Sequence, residues 1–226
     1  MTAVPGETAE GFRNGVETMV ALGVPHLSIY SLQVEEGTPL HATVSRGATV
    51  PPGEEIAAER YETAARIVGA AGYRHYEVSN FAMPGHESRH NQGYWARRPY
   101  VALGPGGHSF DGGRRWGNEE DVTRYFEILE GGSLPRREVT VVAPEDVVAE
   151  TVMLGLRRSR GLRLRSVSRF APDAVAGWER WAWAAGALAA GPPGRARPSE
   201  HGLLTAHEVA AELLLRIEAE RRGRAA

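Results

Sequence analysis

Apolar residues in the first part of the chain occur first with helical spacing and then in a short continuous run. In the segment 8–23 they recur every three or four residues between a capping Thr and a terminating Gly, which predicts an α-helix. The run 26–32 predicts a strand. The same order then repeats, with a helix expected over 51–71 and a strand over 73–78. This alternation favours parallel βα units, whose ligand-binding loops follow the carboxyl ends of the strands.

A third short strand is expected at Tyr100–Leu103. It runs into the glycine-rich turn Gly104–Ser109, so this turn and the segment after residue 78 are expected at the same rim of the sheet. The strands that can be counted are too few to close an eight-stranded barrel. Part of such a barrel is therefore expected to lie N-terminal to Met1.

The pattern changes beyond Asn118, where helical spacing replaces the alternation. We therefore predict an α/β domain over 1–118 and a second, mostly helical domain over 119–226. Within the second domain, the segment 184–198 is dominated by Ala, Gly, Pro and Arg and is interpreted as a flexible wing or a linker. The other expected elements of this domain are helices over 119–129, 144–157 and 208–217 and an extended stretch over 135–142.

Composition restricts the classes of function. The chain of 226 residues is 42% hydrophobic, and its formal net charge of -2 gives no general attraction to nucleic acid or anionic lipid. All 26 basic residues are Arg. The absence of Cys excludes disulfides, thiolate metal sites and cysteine nucleophiles. No apolar run reaches membrane-spanning length, and no charged-then-apolar leader opens the chain, so we expect a cytoplasmic protein without a membrane span.

Polar and aromatic side chains are concentrated between Tyr76 and Trp95, in a combination that suits a planar ligand. His90 is the best single candidate for a metal or haem-iron ligand, and the alternative is a His that holds its own loop. Tyr94 could ligate ferric iron as a phenolate or bond to backbone. Trp95 could stack on a macrocycle or pack as a lid over the core.

Other polar residues have less specific interpretations. The two Asn residues of the same segment, Asn80 and Asn91, are expected to form turns, and Glu77 to make a structural hydrogen bond. Gly104–Gly107 could bring backbone amides to an anion, although its Pro lacks an amide hydrogen. Several Arg residues form two short runs that are expected to be solvated, although the first, Arg114 and Arg115, could bind a carboxylate or phosphate and the second could contact phosphates. These residues are Arg114, Arg115, Arg157, Arg158, Arg160, Arg163 and Arg165.

The ordered set of motifs resembles the radical S-adenosylmethionine proteins related to oxygen-independent coproporphyrinogen III oxidase, in particular their haem chaperone branch, called HemW. The resemblance covers most of the chain and weakens between about Arg165 and His201. The segments that carry it are Val4–Thr8, His26–Leu32, Glu35–Leu40, Gly72–Ala82, Arg89–Trp95, Leu103–Ser109, Met153–Arg157 and, more loosely, Leu203–Leu215.

This resemblance implies a partial (β/α) barrel followed by a small winged-helix-like domain. It also implies a 4Fe-4S cluster, held by a Cys-rich loop that this chain lacks, and S-adenosylmethionine bound at that cluster. The chain therefore resembles the C-terminal part of a family member. By the same resemblance, five residues would form the wall of the S-adenosylmethionine pocket. These residues are Ser31, Leu32, Gly106, Gly107 and His108.

The resemblance further implies that His90, Asn91, Tyr94 and Trp95 form or border a haem site, with His90 as the expected iron ligand. Many relatives have Cys before Arg-His-Asn, where this chain has Ser88. The expected function is therefore haem binding and delivery, with haem or porphyrin and a haem-acceptor protein as partners. The alternatives are the oxidative decarboxylation of coproporphyrinogen III, or a non-catalytic binding module whose C-terminal winged-helix-like unit contacts a protein partner or nucleic acid, in the latter case with phosphate contacts from the basic run.

Overall fold

The computed structural model describes residues 1–225. The chain divides into two compact units, Met1–Glu87 and Ser88–Ala226. This division falls before the predicted domain boundary at Asn118, and that boundary stays a prediction.

The first unit contains three helices and one small sheet. Thr8 caps the first helix, because its hydroxyl accepts a 3.0 Å hydrogen bond from the Gly11 amide. The predicted helix at 8–23 is thus confirmed, and the predicted helix at 51–71 is also present but begins at Glu54. The elements of this unit are α1 (Ala9–Ala21), β1 (His26–Ser28), α2 (Pro39–Ser45), α3 (Glu54–Ala70), β2 (Arg74–Glu77) and β3 (Asn80–Ala82).

The sheet of the first unit has the order β1-β3-β2, and both of its pairings are antiparallel. The predicted parallel pairing of the strands at 26–32 and 73–78 is therefore wrong. The two predicted strands are not neighbours, because the chain turns back at Val78 and Ser79 and places β3 between them. Leu27 pairs with Phe81, and β1 itself is shorter than predicted because it ends at Ser28.

The core of the first unit lies between its helices and this sheet. Phe12 from α1 and Val68 from α3 are buried together with Tyr73 and Phe81. The Tyr73 hydroxyl donates a hydrogen bond to the Val24 carbonyl, so its one polar atom is satisfied.

The second unit begins with a short helix and a three-stranded antiparallel sheet of order β4-β5-β6. The predicted strand Tyr100–Leu103 is wrong, since only Tyr100 forms a bridge, to Phe110. The strand instead begins at His108, inside the predicted turn Gly104–Ser109, and extends to Phe110. The elements are α4 (Arg89–Trp95), β4 (His108–Phe110), β5 (Arg114–Asn118), α5 (Val122–Glu130) and β6 (Arg136–Val141).

The rest of the second unit is mostly helical, as predicted. Within the segment 184–198, residues 188–198 form an antiparallel hairpin, which we call the wing, with Leu188 opposite Pro198. The second strand of the wing also pairs with a short strand near Gly161, which gives the sheet order β7-β9-β8. The elements are α6 (Pro144–Leu156), β7 (Leu162–Arg163), α7 (Arg165–Ser168), α8 (Pro172–Ala184), β8 (Leu188–Ala189), β9 (Arg195–Pro198), α9 (Glu200–Leu204) and α10 (Ala206–Ala225).

The core of the second unit is formed by α6, α8, α10 and the wing. Trp178 is fully buried, and its indole Nε1 donates a 2.9 Å hydrogen bond to the Val209 carbonyl. Val152 and Leu213 are equally inaccessible to solvent. Within residues 1–225, no helix combines the length and the apolar character that crossing a bilayer requires.

Candidate functional site

Most of the segment 76–95, in which polar and aromatic side chains are concentrated, lies in strands and a helix and not in a loop. Its first part forms the β2–β3 hairpin, and its last part forms α4. The boundary between the two compact units falls between them, at Glu87. Strand pairing and helix formation satisfy the backbone of both parts, which explains why neither is irregular.

In the first unit, the hairpin part of the segment forms a buried polar network. The Asn80 amide donates to the Glu77 carboxylate, and the Asn80 Oδ1 atom accepts a 2.5 Å hydrogen bond from the Ser28 hydroxyl. The structural role predicted for Glu77 is thus confirmed, whereas Asn80 is a strand residue and not a turn residue. This part of the segment stabilises the sheet.

The chemistry-bearing part of the segment is α4 in the second unit. Ser88 caps this helix, since its hydroxyl accepts a 3.2 Å hydrogen bond from the Asn91 amide. Asn91 therefore lies within a helix, and its predicted turn role is wrong. Residues four apart share one helix face, so His90 pairs with Tyr94, and Asn91 lies on the same face as Trp95. The four predicted haem residues thus occupy two adjacent faces of one helix.

His90 begins a row of aromatic rings that leads from the surface to the interior, which we call the aromatic ladder. The His90 and Tyr94 ring centroids are 4.5 Å apart in an edge-to-face arrangement, and Tyr94 meets Tyr100 in the same way at 4.6 Å. Tyr100 lies 6.1 Å from Phe110, which is only 1% exposed. His90 is itself exposed. The ladder orients Tyr94, and through it the imidazole, because edge-to-face contacts favour a particular ring angle.

An ion-pair cluster holds the C-terminal end of α4. The Arg97 Nε atom lies 2.6 Å from Glu150, and Arg115 binds the same carboxylate through two nitrogens at 2.5 and 2.9 Å. Both guanidinium groups also stack over Phe110, at 5.2 and 4.7 Å from the ring centroid. Arg115 is therefore engaged in structure and is not the solvated residue that was predicted.

The electrostatics of this cluster follow from its hydrogen bonds. The hydrogen bonds from Arg115, and then those from Arg97, hold the pKa of Glu150 below its ordinary value against the opposing effect of burial. The Glu150 carboxylate in turn raises the pKa of Arg115. Sequence reasoning missed Arg97 and Glu150, because no local pattern indicates a pair separated by 53 residues.

Trp95 lies on the other face of α4, beside a cation. The Arg157 guanidinium carbon is 5.8 Å from the centroid of the indole ring. Two donors at this end of the helix are buried and have no acceptor among the described residues, namely Trp95 Nε1 and Arg97 Nη2. A buried donor without an acceptor is destabilising, so these two atoms mark a place where a ligand acceptor would be favourable.

The glycine-rich turn does not present free amides as a whole. The Gly104 amide donates to the Tyr125 hydroxyl at 3.2 Å, and the Gly106 amide donates to the Glu119 carbonyl at 2.9 Å. Two of the amides that an anion would need are therefore already bonded within the chain.

His108 is the first residue of β4, and Gly107 precedes it at the end of this turn. A Cβ atom at Gly107 would lie 2.9 Å from the Ala102 Cβ atom, so glycine is needed here because the two residues pack closely against each other. His108 is an exposed residue of β4 and pairs with Gly117, not a loop residue as predicted. Its role in an S-adenosylmethionine pocket stays a prediction.

Ser31 and Leu32, the other predicted pocket residues, lie in the first unit. Ser31 forms a parallel bridge with Thr2, and the Leu32 amide donates a 3.0 Å hydrogen bond to the Thr2 carbonyl. Ser31 is exposed and Leu32 is partly buried. Their contribution to a cofactor pocket likewise stays a prediction.

The residues that are present do not fit an iron–sulfur cluster. The chain contains no Cys, and no group of three or more His, Asp or Glu side chains within residues 1–225 has the geometry of a metal site. A haem needs less from the protein, because the macrocycle already supplies four ligands and a single imidazole completes the attachment. His90 fits that requirement, since it is exposed and oriented by the aromatic ladder.

No family model matches the chain. It is 38% identical over 174 residues to a protein of Mycobacterium tuberculosis named heme chaperone HemW, and the match covers 76% of this chain and 45% of that protein. A Bacillus subtilis protein of the same name is 35% identical, with 76% and 44% covered. A Danio rerio protein named radical S-adenosyl methionine domain-containing protein 1, mitochondrial, is 34% identical, with 77% and 41% covered.

The chain therefore spans less than half the length of these curated relatives. Among solved structures it is similar to one described as coproporphyrinogen III oxidase (HemN) from Escherichia coli, a radical SAM enzyme. The TM-score is 0.70 at 13% identity, and the match covers 94% of this chain and 53% of that one. This similarity shows the α/β fold of that enzyme over the matched part, as predicted from the sequence.

Proposed function

Because the chain belongs to the HemW-like branch of the radical S-adenosylmethionine family, we propose that it carries the haem-binding helix of a protein that binds and delivers haem. The observation that carries this proposal is the exposed His90 at the head of the aromatic ladder. In the proposed complex the imidazole binds the iron, and Tyr94 supports the imidazole by its edge-to-face contact.

The exposure of this helix suits delivery better than catalysis. An enzyme pocket commonly buries most of its ligand, whereas α4 is a short helix with His90 on the surface and Tyr94 39% exposed. A haem bound there keeps one face accessible to an acceptor protein. Oxidation of coproporphyrinogen III is the weaker alternative, since relatives named heme chaperone are 34–38% identical to the chain, whereas the similar oxidase structure is 13% identical. A cytoplasmic location is part of the proposal and is supported by the composition alone.

A haem titration of the purified chain tests this proposal. We expect a Soret band that saturates in the wild type, and at least a tenfold loss of affinity in His90→Ala because the iron loses its protein ligand. Tyr94→Phe is expected to retain most of the affinity, since it keeps the aromatic ring. His86→Ala removes another exposed His and serves as the control. A wild-type spectrum identical to that of free haem would exclude a haem site in this chain.

A further inference from the structure

Five arginines of the second unit form one positive cluster, which we call the arginine cluster. Arg163 of β7 lies directly opposite Arg195 of β9 in the antiparallel pairing. The Arg195 side chain donates 3.0 Å hydrogen bonds to the carbonyls of Arg160 and Gly161. The members of the cluster are Arg98, Arg158, Arg160, Arg163 and Arg195.

The cluster has no carboxylate partner among the described residues. None of its members belongs to an ion pair within residues 1–225, although several other arginines of the chain do. Like charges directly opposite each other destabilise a strand pair. Burial, followed by the other four arginines, lowers the pKa of Arg158. The folded chain thus maintains a repulsive set of guanidinium groups, which an anion would neutralise.

The cluster begins at the end of the proposed haem helix. Arg98 follows α4 in the sequence, and its amide donates a 3.0 Å hydrogen bond to the Gly93 carbonyl of that helix. Arg157, the neighbour of Arg158, lies over the Trp95 ring. The helix itself is only about 10 Å long at 1.5 Å per residue, so its two ends lie within reach of a single macrocycle. Trp95 Nε1, a buried donor without an acceptor among the described residues, lies at the same end.

We propose that Arg98 and Arg158 bind the propionate carboxylates of the porphyrin whose iron is bound by His90. This inference rests on the proposed function and assigns the anionic edge of the ligand to the C-terminal end of α4. A guanidinium group binds a carboxylate through two parallel hydrogen bonds, and such charge-assisted bonds are among the strongest that proteins make. The remaining arginines of the cluster raise the local positive potential without direct contact.

The geometry favours a small dianion over nucleic acid. Arg158 is partly buried, whereas phosphate-binding residues of nucleic-acid proteins form exposed stripes along a surface. The chain as a whole also carries a net charge of -2, which opposes long-range attraction of a polyanion.

The test compares haem with haem dimethyl ester, in which both propionates are neutral, in the same cosolvent. Wild type should bind the ester at least tenfold more weakly than haem, since the loss of each charge-assisted contact raises the dissociation constant about tenfold or more. The double variant Arg98→Gln/Arg158→Gln should bind haem about as weakly as wild type binds the ester, and should no longer distinguish the two. Arg13→Gln/Arg46→Gln removes two exposed positive charges of the first unit and should behave as the wild type.

The outcomes separate this inference from the proposed function. If wild type binds haem and its ester equally, or the double variant retains full affinity for haem, the propionate assignment is overturned and the haem site stands. If wild type binds neither haem nor iron-free protoporphyrin IX, both the propionate assignment and the proposed haem site are refuted. Salt-dependent binding of duplex DNA that is lost in the double variant, with haem affinity unchanged, assigns the cluster to nucleic acid instead.

Discussion

At the residue scale, the orientation of α4 depends on the carboxylate of Glu150. It holds both Arg97 and Arg115 against the Phe110 ring, although its two partners come from different elements. Replacing Glu150 with Gln leaves two guanidinium groups without their anion. We expect Glu150→Gln to lower the free energy of unfolding of the second unit by about 1–3 kcal/mol, measured by urea denaturation at neutral pH. Glu145→Gln, an exposed change on the same helix, should have little effect.

The same carboxylate predicts an acid dependence of stability. Hydrogen bonds from Arg115 lower the pKa of Glu150 in the folded chain. The contribution of Glu150 to the free energy of unfolding is therefore fully present above the ordinary carboxyl pKa. It is lost as the pH falls from there through the lowered pKa of the folded chain. Urea midpoints measured between pH 6 and the acid range should fall less steeply for Glu150→Gln than for the wild type. Parallel pH profiles of the two proteins would contradict this prediction.

At the element scale, the wing is fixed by a close approach of backbone to backbone. A side chain at Gly161 would lie 2.0 Å from the Ala196 carbonyl oxygen, and the φ angle of +72° also disfavours any other residue. Gly161→Ala should therefore destabilise the second unit by roughly 2 kcal/mol or more. Gly194→Ala is the matched control, because its φ angle of +74° carries the same strain but no atom lies within 4 Å of the added carbon. Thermal unfolding of both variants measures the difference, and equal losses would refute a steric role for Gly161.

The elements divide into those that local sequence determines and those that it does not. α1 and α6 were predicted almost to their ends, because apolar spacing and end signals act within a few residues. β3 was missed because a two-residue hairpin placed it between two strands that alternation alone would pair. The proposed site shows the same division, since His90 and Tyr94 were selected as candidates from residue type, whereas the contact of Tyr94 with Tyr100 depends on tertiary packing.

At the scale of the whole molecule, residues 1–225 contain two separate hydrophobic cores. Phe81 belongs to the core of the first unit, and Leu213 belongs to that of the second. Because no buried residue is shared between the two clusters, damage to one core should spread within its own unit first. The haem-binding proposal concerns only the second core, which supports α4 through Glu150 on α6.

Hydrogen exchange read by mass spectrometry tests this independence. Leu213→Ala should lower the free energy of unfolding of the second unit by about 2–5 kcal/mol and accelerate hydrogen exchange in α6, α8 and α10. Peptides from α1 and α3 should keep their wild-type protection. Phe81→Ala should cost about 3–5 kcal/mol and give the reverse pattern. Leu215→Ala, on the exposed face of α10, should leave both units within about 0.5 kcal/mol of the wild type. A uniform loss of protection across the chain in either core variant would mean that both cores unfold as one cooperative unit, so that variants of either core would also reduce haem binding at α4.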